Sequence, residues 1–393
     1  MESSALERLA LCSPETEIWF DSSPLVYAGW RESFLGGLGE EERRNIGRDL
    51  DAFFNPAGGR PGYIRGATTN QPLTLQVLEA DWPRWQAWAR AAAEKHRDWA
   101  PRQVAWETFK EIVRAGSELL LPVYEASGAR YGYICGQVDP RLNDDTAAMV
   151  AQALDLHAAS PNIMIKMPGT AAGIEGVRLL TAKGIPTTTT LSFSVPQLIA
   201  VAEAHEAGLS QASASGVDLS HCRATGVMML GRFEDHPVFK QQAAEQGIEL
   251  SAADLRWAGV AIFKKAVQLY RQRRYRCKLL AASMRLGPMV DGRQRIWHLE
   301  MLAGAPAVLT IFPNIIEAFL LSYRAEPIEP RIDEEVPPEE LAKLLRIPYF
   351  RQAYEEDGLR PEQFAGYPPV VATAESFTKA QVDFENKVIA GLA

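Results

Sequence analysis

The sequence predicts an α/β protein: a closed (β/α)8 barrel with extra N-terminal and C-terminal helices. Three observations carry that expectation. Short apolar or β-rich runs recur along the chain, each followed by a longer stretch with helical spacing, which is the pattern of a parallel sheet covered by helices. There are eight such runs in succession, the number that closes a ring rather than an open doubly wound sheet. No run is followed by GxGxxG or a Walker-type loop, which removes the main support for a dinucleotide or nucleotide fold.

In order, the runs are EIWFDSS (17–23), YIRGATTN (63–70), YGYICGQVD (131–139) and NIMIKMP (162–168), then PTTTTLSFS (186–194), ATGVMMLGR (224–232), CKLLAASMR (277–285) and AVLTIFP (307–313). Amphipathic stretches such as DTAAMVAQALDLHAA and VPQLIAVAEAHEAGL separate them. The 393 residues are read as one barrel domain with three additions. Residues 38–62 hold a charged helix, EEERRNIGRDL, and a turn-rich connector, NPAGGRPG. The tryptophan-rich 80–125 region exceeds one crossover helix and is expected to cover one end of the barrel. The tail, 326–393, opens on EPIEPRIDEEVPPEE and returns to helical patterning as a C-terminal cap.

Composition narrows the function. A net charge of −8 and a pI near 5.5 argue against a nucleic-acid groove or an anionic membrane surface. No stretch of roughly 18 apolar residues and no signal-peptide pattern is present, so a soluble cytoplasmic protein is expected. Four scattered cysteines without a CxxC pair read as free thiols. Six histidines without HExxH or clustered spacing give no metal site. The basic run RRYRCK (273–278) reads as a solvated helix end.

One residue stands out. Lys166 lies inside the apolar run NIMIKMP, just before Pro168. Strand alternation sends Met164 and Lys166 to one face and Ile163 and Ile165 to the other. In a barrel this places Lys166 on the inner face near the C-terminal end, where such enzymes keep their chemistry. Lost hydration there lowers an amine's pKa, and a neutral amine attacks a carbonyl to form a Schiff base. The bland alternative is a lysine that snorkels to water or pairs with a carboxylate. Other run ends carry polar groups suited to a phosphorylated polyol: Asp21, Asn70, Gln137, then Thr188, Thr190, Ser192 and Ser194 on one face, then Arg232 and Arg285. Two arginines from neighbouring late strands make a bidentate phosphate clamp.

The segment NIMIKMPGTAAGIEGVRLLTAKGIPTTTTLSFSVPQ resembles the Schiff-base lysine region of the transaldolase family of class I aldolases. So do GATTNQPL, GYICGQVDPRLNDDT, LGRFED and LAASMR, a resemblance running over about 63–313. GLRPEQFAGYPPVVAT is similar to the C-terminus of the longer bacterial members. The resemblance implies a TIM barrel that moves a three-carbon dihydroxyacetone unit between sugar phosphates, as part of pentose phosphate metabolism. It makes Lys166 the imine-forming residue and Asp21 the acid/base. Gln137 and Thr190 would serve the catalytic water, and Asn70, Thr68, Thr188 and Ser192 would contact substrate hydroxyls. Arg232 and Arg285 would hold the phosphate. No cofactor is implied, because the imine takes the place of a Lewis acid. Sugar phosphates are the expected partners, with a homodimer compatible with a barrel of this size.

Three departures from the family pattern converge on the same pocket. Gln137 stands where most transaldolases have glutamate, and glutamine there is a feature of fructose-6-phosphate aldolases. Thr188 replaces an asparagine. Val227 and Met229 replace a serine and a phenylalanine. A shifted substrate follows from them, with stand-alone aldol cleavage and sugar-phosphate binding without turnover as the alternatives.

Overall fold

The structure is a computed structural model that describes residues 3–56 and 62–393. All eight runs form barrel strands: β1 (Glu17–Phe20), β2 (Gly66–Ala67), β3 (Tyr133–Gln137), β4 (Ile163–Pro168), β5 (Thr187–Thr190), β6 (Ala224–Met229), β7 (Lys278–Ala282) and β10 (Ala307–Ile311). They pair in parallel and close in the order β1-β10-β7-β6-β5-β4-β3-β2. Between β7 and β10 the chain adds a small antiparallel ribbon, β8 (Met289–Val290) with β9 (Arg293–Gln294), which the sequence reading did not anticipate.

All eight strands are shorter than the runs that announced them. β5 stops at Thr190 because Leu191 turns to φ +54°, and β7 stops at Ala282 because Ser283 turns to φ +60°. Both are left-handed conformations that cost a residue with a Cβ about 1–2 kcal/mol. β6 stops at Met229, where a short helix, Leu230–Glu234, begins. The helices after the strands start on local signals. Asn70 accepts from the Leu73 amide at 2.9 Å, and Thr170 and Ser194 cap their helices in the same way at 3.1 and 3.4 Å.

Inside the barrel, register fixes which side chains share a level. Gln137 pairs with Lys166, Lys166 with Thr188, and Thr188 with Thr225, all toward the axis. At the opposite end the axis is plugged by Glu17, whose carboxylate meets the Arg223 guanidinium at 2.9 Å and Lys278 Nζ at 2.8 Å. Trp19 lies above it and donates its indole N–H to Glu17 at 3.1 Å. The ring fits because Gly66 faces it from β2: a Cβ there would stand 2.6 Å from the indole.

The plug makes a prediction. Glu17→Gln leaves two cations without their counter-charge and is expected to destabilise the fold by about 3 kcal/mol, near the low end for a broken buried pair. The low end applies because Arg223 and Lys278 keep 18% and 21% of their side-chain exposure. Burial pushes the Glu17 carboxyl up, but Arg223 and Lys278 outweigh it and hold it below the ordinary value. Its contribution is therefore present above the ordinary glutamate range and fades as acid carries the pH down through the folded-state value. Thermal melts of both proteins across that range should converge on acidification; parallel curves would refute the assignment.

Among the described residues, the helix Ala5–Leu11 before β1 and three further sets of helices lie outside the minimal barrel. Glu40–Phe53 is one helix, and the connector read at 55–62 falls largely at 57–61, outside the described residues. Between β2 and β3 lie Gln71–Ala80, Trp82–Lys95, Pro101–Glu118 and Leu121–Ala126; Pro101–Glu118 packs against β3 and β4 as the barrel's own crossover, and the others are the addition. The tail forms Pro338–Leu345, Pro348–Tyr354, Pro361–Phe364 and the long helix Pro368–Gly391. Among the described residues no helix is long and apolar enough to cross a membrane.

Candidate active site

The C-terminal ends of the strands gather most of the polar residues singled out above. Lys166 is 6% exposed, and its Nζ donates to the Thr69 carbonyl at 3.1 Å. Burial pushes its amine below the usual lysine range. The Cys135 and Asp21 side chains oppose that shift, and Arg232 adds to it. The ammonium is thus disfavoured in a site walled by protein, which is the condition for a nucleophilic amine at neutral pH.

Asp21 sits one residue beyond β1, buried at 5% exposure. Burial pushes its carboxyl up; the Thr68 hydroxyl, the Lys166 charge, the Ser283 amide and Arg285 pull the other way without cancelling it. Thr68 donates to Asp21 and lies 2.8 Å from the Thr310 hydroxyl on the neighbouring β10. Lys166 and Asp21 are therefore within each other's electrostatic reach, and each is displaced toward its neutral form. Such a pair can exchange protons with a substrate at modest cost.

Gln137 is 2% exposed, and its amide oxygen has no hydrogen-bond partner among the described residues. An orphaned acceptor beside the lysine has to be met by water or substrate. Thr188 accepts from Thr225 at 2.6 Å, which leaves its own O–H to donate elsewhere. Thr190 points its hydroxyl at the Met229 sulfur, 3.6 Å away. Ser192 and Ser194 do not continue the inner face of the fifth strand. After the Leu191 turn, Ser192 lies 3.2 Å from the outward-facing Thr189 hydroxyl, and Ser194 caps the helix Val195–Ala214. Asn70 likewise spends its side-chain oxygen on the helix cap, which leaves its amide N–H groups free for other bonds.

The two arginines lie past their strands rather than on them. Arg232 is in the short helix 230–234, and Arg285 follows the Ser283 turn. Gly231 lets these loops touch: its amide donates to Ser283 O at 2.9 Å, and a Cβ there would stand 2.3 Å from that oxygen. The arginines are not equivalent. Arg285 is held by Asp235 at 2.7 Å and by the Ser283 carbonyl at 3.0 Å, and its amide is fixed by buried His298 at 3.0 Å. Arg232 makes no ion pair with a carboxylate among the described residues. Burial, then Arg285, lowers its pKa, while Asp21 opposes them.

Sequence reasoning passed over four contributors. Thr310 was visible as the one polar residue inside AVLTI, and Cys135 as the inward residue two before Gln137. Thr69 and Ser283 act through their backbones and leave no side-chain signal.

Fold and site together define the class: a parallel (β/α)8-barrel protein whose mouth holds a desolvated lysine beside a buried carboxyl. Comparison with known proteins narrows it, because the family described as Transaldolase/Fructose-6-phosphate aldolase matches residues 59–360, and the chain belongs to that family. Over 210 residues it is 36% identical to a transaldolase of Thiobacillus denitrificans, covering 53% of this chain and 57% of the relative. Over 162 residues it is 34% identical to Transaldolase 1 of Streptomyces avermitilis, covering 41% and 42%. Transaldolase 1 of Streptomyces coelicolor is 40% identical over 124 residues, 31% and 32% of the two chains. The matched stretches thus span about half, or less, of the length of these curated relatives.

Proposed function

We propose that the protein transfers a three-carbon dihydroxyacetone unit from a ketose phosphate to an aldose phosphate through a Schiff base on Lys166. The observation that carries this reading is the pairing of a buried amine with a buried carboxyl at the mouth end of the barrel, with Arg232 and Arg285 within charge range. Lys166 Nζ adds to the C2 carbonyl and water leaves, giving a protonated imine. The Asp21 carboxylate takes the proton of the C4 hydroxyl. The C3–C4 bond breaks, its electron pair moves toward the imine nitrogen as an enamine, and the aldehyde departs. The enamine carbon then attacks an acceptor aldehyde, whose oxygen takes the proton back from Asp21, and water releases the product. Gln137 and Thr190 orient that water, and Asn70 and Thr68 meet substrate hydroxyls. We read the protein as a cytoplasmic enzyme of sugar-phosphate metabolism; its four unbridged cysteines support a reducing compartment.

Gln137 favours a second reading, stand-alone aldol cleavage. A neutral amide holds the water without relaying its proton, and glutamine at this place is the feature that resembles fructose-6-phosphate aldolases, in which water and not an acceptor discharges the enamine. Incubation with a ketose phosphate, with and without an acceptor aldehyde, separates the two. Transfer predicts little free dihydroxyacetone with or without acceptor and a new ketose phosphate once acceptor is added, whereas steady accumulation of dihydroxyacetone without acceptor rejects it. Borohydride trapping with donor, followed by peptide mass spectrometry, should tag Lys166. An untagged lysine leaves sugar-phosphate binding without turnover. Introducing a carboxylate with Gln137→Glu is expected to raise the transfer rate by about 10²-fold, the low end of the gain from a positioned proton relay. An unchanged or lower rate would show that the amide is adapted to this pocket.

A further inference from the structure

The long C-terminal helix, Pro368–Gly391, lies across the mouth of the barrel. Its contacts include the short helix 230–234 after β6 and, on the far side of the ring, the 71–80 helix after β2 and the 140–142 turn after β3. Glu385 anchors the far end, receiving Arg141 NH1 at 3.0 Å together with the other Arg141 nitrogen, and Arg141 in turn binds Asp139 at 2.9 Å, two residues past Gln137. At the near end Phe377, fully buried, lies under Arg232 with the guanidinium carbon 5.2 Å from the ring centre. That is within cation–π range.

We propose that Phe377 is a positioning residue for the anion clamp, holding Arg232 by its face so that its N–H edge stays open to a phosphate group. The proposal rests on the assignment of Arg232 to phosphate binding. A carboxylate partner would position the arginine equally well but would compete with the ligand for the same donors, as Asp235 does at Arg285. An aromatic face fixes the side chain without occupying its hydrogen bonds and without cancelling its charge. The helix that closes the mouth therefore sets affinity for the phosphate end of the substrate.

The test uses the full chain and inorganic phosphate as the probe, followed by titration calorimetry. Phe377→Leu is expected to weaken phosphate binding about three- to tenfold, the worth of one cation–π contact, while Phe377→Tyr stays within about twofold. KM for a ketose phosphate should rise by the same factor with kcat nearly unchanged, and capture of unphosphorylated dihydroxyacetone on Lys166 should stay as in wild type. Should the leucine chain fail to fold, stepwise fluorination of the Phe377 ring drains the π-face while keeping its shape, and phosphate affinity should fall with each fluorine. Affinity indifferent to both changes overturns the proposal, as does a wild-type chain that binds no phosphate or an equal loss for phosphorylated and unphosphorylated donors. The two readings fail separately. A Lys166 adduct with fluorine-insensitive phosphate binding defeats only this proposal. Fluorine-sensitive binding with no adduct from any donor defeats only the catalytic one.

Discussion

Replacing Lys166 by methionine is expected to abolish turnover, by on the order of 10⁴-fold or more, and to remove every borohydride-trapped adduct. Methionine keeps most of the stem that fills the space beside Cys135 and Gln137 and deletes only the amine. The loss then belongs to covalent capture, not to a collapsed pocket. The same substitution should leave the melting temperature equal or higher, because the wild-type chain pays to hold an ionisable group at 6% exposure. The sign follows from linkage. With the folded-state pKa below the ordinary lysine value, the unfolded chain binds more protons, so wild-type stability falls relative to the methionine variant as pH drops through that interval. The kinetic counterpart is a rate of adduct formation that climbs with pH and flattens before the ordinary lysine range. A rate still climbing through that range would mean that the amine is solvated, and the assignment would fail with it.

The order of strands and helices was legible in the sequence because each barrel strand is buried on both faces. The strands therefore appear as compact runs that helical segments cannot imitate in length or in β-branched content, PTTTTLSFS being the clearest. Their ends were less legible. β5 and β7 are cut short by left-handed Leu191 and Ser283, neither of which is a residue that advertises positive φ. Lys166, Asp21, Gln137 and the two arginines could be chosen because a polar side chain at the end of an apolar run is conspicuous. Their partners could not. Thr69 and Ser283 contribute backbone atoms, and Phe377 lies 145 residues from Arg232 in a helix whose pattern says only that one face is buried. Ser192 shows the opposite failure: a period-2 pattern carried past the true end of a strand assigns a face to a side chain that has already left the sheet.

Asp21→Asn is expected to separate imine formation from carbon–carbon cleavage. The two side chains have nearly the same shape, and the amide oxygen can still accept from Thr68 or from the Ser283 amide. What the substitution removes is the ability to take the C4 hydroxyl proton, a function worth about 10²–10⁴-fold in rate. The native carboxyl suits that task because burial holds its pKa above the ordinary aspartate value, which makes its ionised form a better base than a solvated carboxylate. In the proposed mechanism capture on Lys166 depends on the amine and not on the Asp21 base, so it should persist in the variant. Borohydride trapping of the asparagine protein with a six-carbon donor should therefore yield an adduct carrying the whole donor, where the wild type yields the three-carbon fragment left after the aldehyde departs. A three-carbon adduct forming in the variant at the wild-type rate would place the proton acceptor elsewhere, whereas loss of both adducts would move Asp21 into the capture step itself.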